Sequence, residues 1–337
     1  MPSQQRADIR KAVEVLRHGG LVAFATETVY GLGADATNSE AVAKVFAAKG
    51  RPAANPLIVH VVDKAVAKRY VGAWPESAER LARAFWPGPL TMVVPKGIQI
   101  VPAVTAGLAT MAIRCPDHPL AGELLREFDG PVAAPSANRS TRVSPTTADH
   151  VRQDLGKGVD LILDGGPCRV GIESTVIDLT SSKPSILRLG GIARGRLEEI
   201  VGPVEVQDPA AGTSSAAKSP GRQAIHYAPV TPAFRIAQGD EHLFSTFFRH
   251  RLGRKAIFLI IHGSELAGQL PQWADHDAIV ELPSDAAEYA RRLYAALREA
   301  DDRHVDMIWI EVPPAGGQWD AARDRVHKAT RPASEGS

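Results

Sequence analysis

The chain is poor in cysteine, in aromatic residues and in net charge, and each shortage argues against a class of function. Its two cysteines, Cys115 and Cys168, form neither a close pair nor a metal-ligand cluster, which argues against a disulfide framework and a zinc site. Each reads as a small core residue or a free thiol. With 39 Lys and Arg against 38 Asp and Glu, no bulk charge draws the chain to nucleic acid or membrane, so a polyanion must be met by a local patch. The start, Met-Pro-Ser-Gln-Gln-Arg, lacks the apolar centre of a signal peptide, and no apolar run approaches the roughly 18 residues of a membrane span. A soluble, cytoplasmic protein with no membrane partner is the expectation. Also missing are GxGxxG after a strand, HExxH and GxSxG, which argues against a dinucleotide enzyme, a zincin and a serine hydrolase in turn. Gly212–Ser219 comes within one residue of a P-loop, but Ala217 replaces the glycine and no strand precedes it.

At 337 residues the chain is long enough for two domains, each with its own core. From residue 7 to about 203, short apolar runs alternate with amphipathic stretches, with strands expected near 90–94, 109–114, 131–134, 160–164, 175–179 and 185–189. This is an α/β or mixed-sheet domain, 1–203. A helix near 76–86 starts at Pro75 and is ended by Pro87-Gly88-Pro89. Between 204 and 232 periodicity gives way to Ala, Gly, Ser and Pro, as in a linker or lid. A second α/β pattern fills 233–337: a buried strand at 256–261, a helix over 284–300, a strand at 307–310 and a last helix near 318–329. It reads as a small parallel-sheet domain.

Residues 26–60 carry the densest polar chemistry. The apolar run Leu21–Phe24 delivers Thr26, Glu27, Thr28 and Tyr30 to a strand exit, softened into a turn by Gly31 and Gly33, and open α/β sheets bind ligands at such exits. A helix then starts near Asn38 or Ser39 and stops at Gly50, presenting Lys49 and Arg51 together. Cations there can merely complement the helix dipole. That is adequate for Lys49; Arg51 leads through Pro52 into Asn55-Pro56, two stiffened steps that favour an anion site. His60 is the only polar interruption of the strand-like run Leu57–Val62, as a hydrogen-bonded core histidine or a site residue.

Further along, Arg114 closes a strand and is either structurally paired or a bidentate clamp for a carboxylate. Ser136 and Asn138 stand at another strand's exit, and Ser144-Pro145-Thr146 is read as the start of the next helix. Glu173-Ser174-Thr175 opens a strand, and Arg188 between apolar neighbours needs a partner, for which a phosphate is one candidate. Inside the linker, His226-Tyr227-Ala228-Pro229 is either a surface anchor or part of a lid over the ligand.

Together TETVYGLG, KGRPAANPLIVH, PSAN, IEST, ILRLGG and the linker's SPG with HYAP resemble the YrdC-like family of threonylcarbamoyl-AMP synthases, in its long form with a carboxy-terminal domain. The resemblance implies a YrdC-like twisted mixed-sheet open α/β domain followed by a smaller Rossmann-like parallel-sheet domain. It implies a nucleotidyltransferase that joins L-threonine, bicarbonate and ATP into threonylcarbamoyl-adenylate and releases pyrophosphate. The product would pass to a tRNA threonylcarbamoyl-transferase machinery that modifies the adenosine beside the anticodon, with direct RNA contact possible in principle. The family's threonine-contacting positions fall on Thr28, His60, Arg114, Ser136 and Ser174. Its nucleotide-contacting positions fall on Arg51, Asn55, Thr110, Asn138, Ser144, Arg188 and Tyr227. Lys49 and Arg51, the family's basic KxR element, would act on the phosphates as catalytic cations, with Mg2+ carried by ATP and no metal held by protein side chains.

Three positions depart from the family pattern: Ala25 and Leu189 stand where proline is usual, and Arg222-Gln223-Ala224-Ile225 replaces a more basic linker segment. The rival readings are a non-catalytic double-stranded RNA-binding protein of the same fold, a carbamoyl-transferring relative, and a member that kept the cleft without activity. The near-neutral charge and lack of interleaved aromatics weigh against the first, and the absence of extra acylphosphatase or zinc-finger modules against the second.

Overall fold

The computed structural model describes residues 3–207, 226–237, 255–269 and 278–335. The P-loop-like stretch Gly212–Ser219 and most of the linker, including Arg222–Ile225, lie outside them. The chain forms two compact units, Met1–Ser140 with Ser144–Arg222, and Thr141–Val143 with Gln223–Ser337. Among the described residues no helix is long and apolar enough to cross a membrane.

The first unit contains strands β1 (Val22–Phe24), β2 (Gly31–Asp35), β3 (Ile58–His60), β4 (Leu90–Pro95), β5 (Thr110–Arg114), β6 (Val132–Ala133), β7 (Leu161–Leu163), β8 (Thr175–Asp178), β9 (Ser185–Arg188) and β10 (Glu205–Val206). They form one mixed sheet in the order β10-β9-β8-β4-β5-β3-β6-β2-β1-β7. Its helices are α1 (Ser3–Arg17), α2 (Ser39–Lys49), α3 (Lys64–Tyr70), α4 (Glu76–Phe85), α5 (Pro119–Phe128), α6 (Ala148–Leu155) and α7 (Arg194–Val201). Glu205–Val206, in the stretch read as linker, pairs in parallel with β9.

Because side chains alternate along a strand, each strand sends every second residue to one face. Val59, Met92, Ile113, Ala133 and Ile177 point to a face covered by apolar residues of α2, α3, α4, α6 and α7. Burying one such Val, Leu, Ile or Met stabilises the fold by about 1.5–3 kcal/mol before entropy is counted. On the opposite face α1 and α5 cover Val22, Phe24, Val132 and Leu163. Across β3, β5, β4, β8 and β9 that apolar layer shrinks to Ile58, Ala112, Val93, Val176 and Leu187, and polar side chains take over.

Gly31 and Gly33 do not make a turn, as their residue type suggested, but lie within β2, opposite Phe24 and Val22 of β1. Close packing explains them: a Cβ on Gly33 would fall 2.8 Å from both Phe24 Cε1 and Val132 Cγ1. Helix α2 begins as read, with the Asn38 side chain accepting from the Glu40 and Ala41 N–H groups, and ends on Gly50 at φ 59°. The helix assigned to Ser144 starts later. Its cap is Thr147, which accepts from the His150 N–H.

The second unit holds β11 (Ala233–Ile236), β12 (Ala256–Ile261), β13 (Ile279–Leu282), β14 (Met307–Glu311) and β15 (Arg331–Pro332), all parallel, in the order β13-β12-β14-β11-β15. Helix α8 (Ala286–Asp302) buries Tyr289, Leu293, Tyr294 and Leu297 and is capped by Asp285; α9 (Asp320–Ala329) follows β14.

Candidate active site

Strand register assembles the polar face of the first unit. His60 lies opposite Arg114, Arg114 opposite Thr91, Thr91 opposite Val176, and Val176 opposite Arg188. Period two puts Thr110 and Arg114 on one side of β5, and Ser174, just before β8, on the side of Val176. Residues scattered over more than a hundred positions thereby share one surface. At the end of β9, Gly190 lets the chain press against the start of β8: a Cβ there would fall 2.4 Å from the Glu173 carbonyl oxygen.

Arg114 is the centre of this surface. Its Nη2 lies 2.6 Å from Glu27 Oε1, with both side chains almost wholly buried. Its Nη1 donates to Thr28 Oγ1 at 2.9 Å, and its Nε donates to the Gly88 carbonyl at 3.3 Å. Thr26 donates its hydroxyl to the Val29 carbonyl at 2.6 Å, which leaves Thr28 as the donor in the 2.9 Å contact with Thr26 Oγ1. A relay of hydroxyls therefore orients Thr28 to accept from Arg114. Among the described residues neither carboxylate oxygen of Glu27 has a hydrogen-bond partner, so the ion pair is its compensation for burial. Two of the five guanidinium N–H groups of Arg114 lie outside these three contacts.

His60 sits beside this pair. Its Nδ1 meets the Ile58 carbonyl at 3.2 Å, so Nδ1 carries the proton and Nε2 is an acceptor in the neutral ring. Burial, then the positive Arg114, lowers its pKa from 6.5 to about 3. The unfolded chain thus takes up a proton below pH 6.5 that the folded chain refuses until near pH 3. Stability is whole above that window and falls as pH drops through it. At pH 5 this costs about 2 kcal/mol. Urea unfolding at pH 7 and pH 5 should show a drop in wild type that is smaller by this amount in His60→Gln; equal drops would assign the effect to other groups.

On β8 and β9, Arg188 donates from Nε and Nη2 to the Ser174 carbonyl at 3.1 and 2.9 Å, and from Nη2 to Ser174 Oγ at 3.1 Å. Ser174 Oγ also contacts Thr91 Oγ1 at 2.7 Å. Ser144, fully buried, donates to Glu173 Oε1 at 2.6 Å. Ser136 donates to Asn138 Oδ1, and Gly31 pairs with Ser136, which joins the PSAN loop to β2. Arg51 donates from Nε to the Asn55 carbonyl and from Nη2 to the Pro56 carbonyl, curling its loop around its own guanidinium. Asn55 thus joins Arg51 through its backbone carbonyl, while Thr110 stands four residues along β5 from Arg114.

Lys49 and Tyr227 stand among protein partners. The buried Nζ of Lys49 donates to the carbonyls of Ser136 and Asn138 and to Asn138 Oδ1. Burial, then repulsion from Arg51, holds its pKa well below the usual lysine range. It staples the end of α2 to the PSAN loop, a positioning role. Tyr227 is buried in the second unit, its ring stacked on Tyr294 at 5.8 Å with the Arg325 guanidinium 4.9 Å over its face. The sequence reading missed Glu27, Glu173 and Thr91 as partners. The available signal was that a buried Arg114 requires a buried acid, and Glu27 lies inside the TET motif.

Comparison with known proteins gives two family matches. Residues 14–190 match the Sua5/YciO/YrdC family, described as telomere recombination, and residues 192–330 match the threonylcarbamoyl-AMP synthase C-terminal domain. The threonylcarbamoyl-AMP synthase of Bacillus subtilis is 41% identical over 322 residues, 95% of this chain and 92% of that protein. That of Pyrococcus abyssi is 41% identical over 330 residues, covering 96% and 94%. The crystal structure of P. abyssi Sua5 complexed with L-threonine superposes with a TM-score of 0.87 at 40% identity, again covering 96% and 94%.

Proposed function

The chain belongs to the threonylcarbamoyl-AMP synthase family in its long form, and from that premise we propose how its own residues divide the substrates. It is a nucleotidyltransferase of tRNA modification, with L-threonine and ATP as substrates. The observation that carries the residue assignment is the buried Glu27–Arg114–Thr28 cluster, set by register among His60, Ser174 and Arg188.

Arg114, with its two remaining N–H groups, takes the threonine carboxylate. The acceptor Nε2 of neutral His60 and the hydroxyls of Thr28 and Ser174 serve the polar side of threonine, and Ser136 closes that wall. A site built to bond a hydroxyl rejects an analogue lacking one, because its own polar groups are left unpaired. Arg51 and Arg188 face ATP, with Asn55, Thr110, Asn138 and Ser144 shaping the nucleotide side and Lys49 holding the PSAN loop in place. Bicarbonate is the third substrate: it adds to the threonine amine with loss of water, and a carbamate oxygen attacks the α-phosphorus as its bond to pyrophosphate breaks. Such transfer asks the protein for alignment and for cations where charge develops, more than for a covalent nucleophile. Mg2+ would enter with the ATP phosphates, and no step here is routed through it. The adenylate then passes to the machinery that acylates tRNA.

Pyrophosphate release should require ATP, bicarbonate and L-threonine together. Omitting each in turn while measuring pyrophosphate tests this, and release indifferent to threonine or bicarbonate would overturn the substrate assignment.

A further inference from the structure

The second unit carries a crevice that the synthase chemistry leaves unused. In its parallel sheet, β12 connects onward to β13 on one side and β14 onward to β15 on the other, while β12 and β14 are neighbours. Adjacent strands whose connections diverge form a topological switch point, and ligands of open parallel sheets bind outside the carboxyl ends of such strands. A cavity of about 380 Å³ lies there, walled by His262–Leu266 after β12 and by Glu311, Val312, Pro314 and Trp319 after β14. That volume suits one small molecule.

The side chains narrow the ligand's chemistry. Glu311 Oε2 accepts from the Ile261 N–H at 2.8 Å and from Ser264 Oγ at 2.9 Å, which fixes the carboxyl group and leaves Oε1 as an acceptor. Half-buried, it is raised in pKa by desolvation. Trp319 offers a flat wall, backed edge-on by Tyr289 at 5.4 Å. The Tyr289 hydroxyl, behind that wall, is fully buried, has no hydrogen-bond partner among the described residues and feels the charge of Glu311. His262 is paired with Glu281 at 2.7 Å, and no Lys or Arg stands among the described lining residues. Phosphate is therefore disfavoured, and a ring bearing hydroxyl or amino donors is favoured.

We propose that this crevice binds a phosphate-free nucleoside, its base against Trp319 and a donor of the ribose or base on Glu311 Oε1. The test uses the full chain with the synthase cleft saturated by L-threonine and a non-hydrolysable α,β-methylene ATP analogue, and labelled adenosine in equilibrium dialysis. One equivalent of adenosine per chain is expected, with AMP at least ten-fold weaker. Glu311→Gln, which keeps an acceptor for Ile261 and Ser264, and Trp319→Ala should each weaken adenosine at least ten-fold while pyrophosphate release stays at the wild-type rate. Absence of the equivalent, AMP binding as tightly as adenosine, or undiminished binding in Glu311→Gln would overturn the proposal. None of these outcomes depends on the assignment of the synthase cleft.

Discussion

Arg114→Lys is expected to lower kcat/KM for L-threonine by about 10²–10³, the loss typical of removing a preorganised electrostatic donor. ATP should be little affected, with its KM changed by less than about three-fold, because a mutation reads out as the binding it removes. The reason lies in geometry rather than charge. Lysine can still neutralise Glu27, so the buried acid keeps a partner and the cooperative melt survives. It cannot hold the Gly88 carbonyl, Thr28 and Glu27 at once and still present two N–H groups to a carboxylate, as the planar fork does. Steady-state pyrophosphate release with each substrate varied separately is the measurement. Equal losses toward threonine and ATP would make Arg114 a general fold residue and end its assignment as the carboxylate clamp.

What the sequence could disclose about this site follows from how far each signal reaches. Local chemistry was legible: the Asn38 cap, the Gly50 stop and the strands around 90–95, 110–114, 175–178 and 185–188 lie where caps, punctuation and apolar runs place them. Pairing was not. Nothing local to Arg114 says that β3 and β4 flank it, so its ion pair with Glu27, 87 positions earlier, could be required but not located. Glycine misled at Gly31 and Gly33 because its turn propensity and its use in close strand packing are the same residue type, and only the facing Phe24 and Val132 decide between them. The partners of Lys49 were hidden for a related reason. A lysine at a helix end is ordinarily solvated, and the carbonyls of Ser136 and Asn138 that bury it arrive from 87 and 89 residues away. Tyr227 was read in the linker, either as a surface anchor or as part of a lid; its stacking and cation–π partners, Tyr294 and Arg325, lie within the second unit and could not be located from the sequence.

Glu27→Gln should produce the second large effect, and with an unusual ligand dependence. The substitution keeps shape and removes charge, leaving the guanidinium of Arg114 buried without its counter-ion, a loss of roughly 3–5 kcal/mol when one partner of a buried pair is removed. Since domains hold only about 5–15 kcal/mol in all, the melt should move markedly. L-threonine then matters more than in wild type. Its carboxylate then takes the place of Glu27 as the counter-ion of Arg114, whereas in wild type it must share that cation with Glu27. Saturating threonine should therefore raise the melting temperature of Glu27→Gln by more than it raises that of the parent, following the usual linkage between ligand and folded state. Turnover should nevertheless fall, because without Glu27 the guanidinium is no longer held against Thr28 in the orientation that the carboxylate requires. Thermal unfolding with and without threonine, beside pyrophosphate release, separates the two effects. A variant destabilised but no more responsive to threonine than wild type would show that Arg114 does not receive the substrate carboxylate, and one with unchanged stability would show that the Glu27–Arg114 pair contributes nothing to the fold.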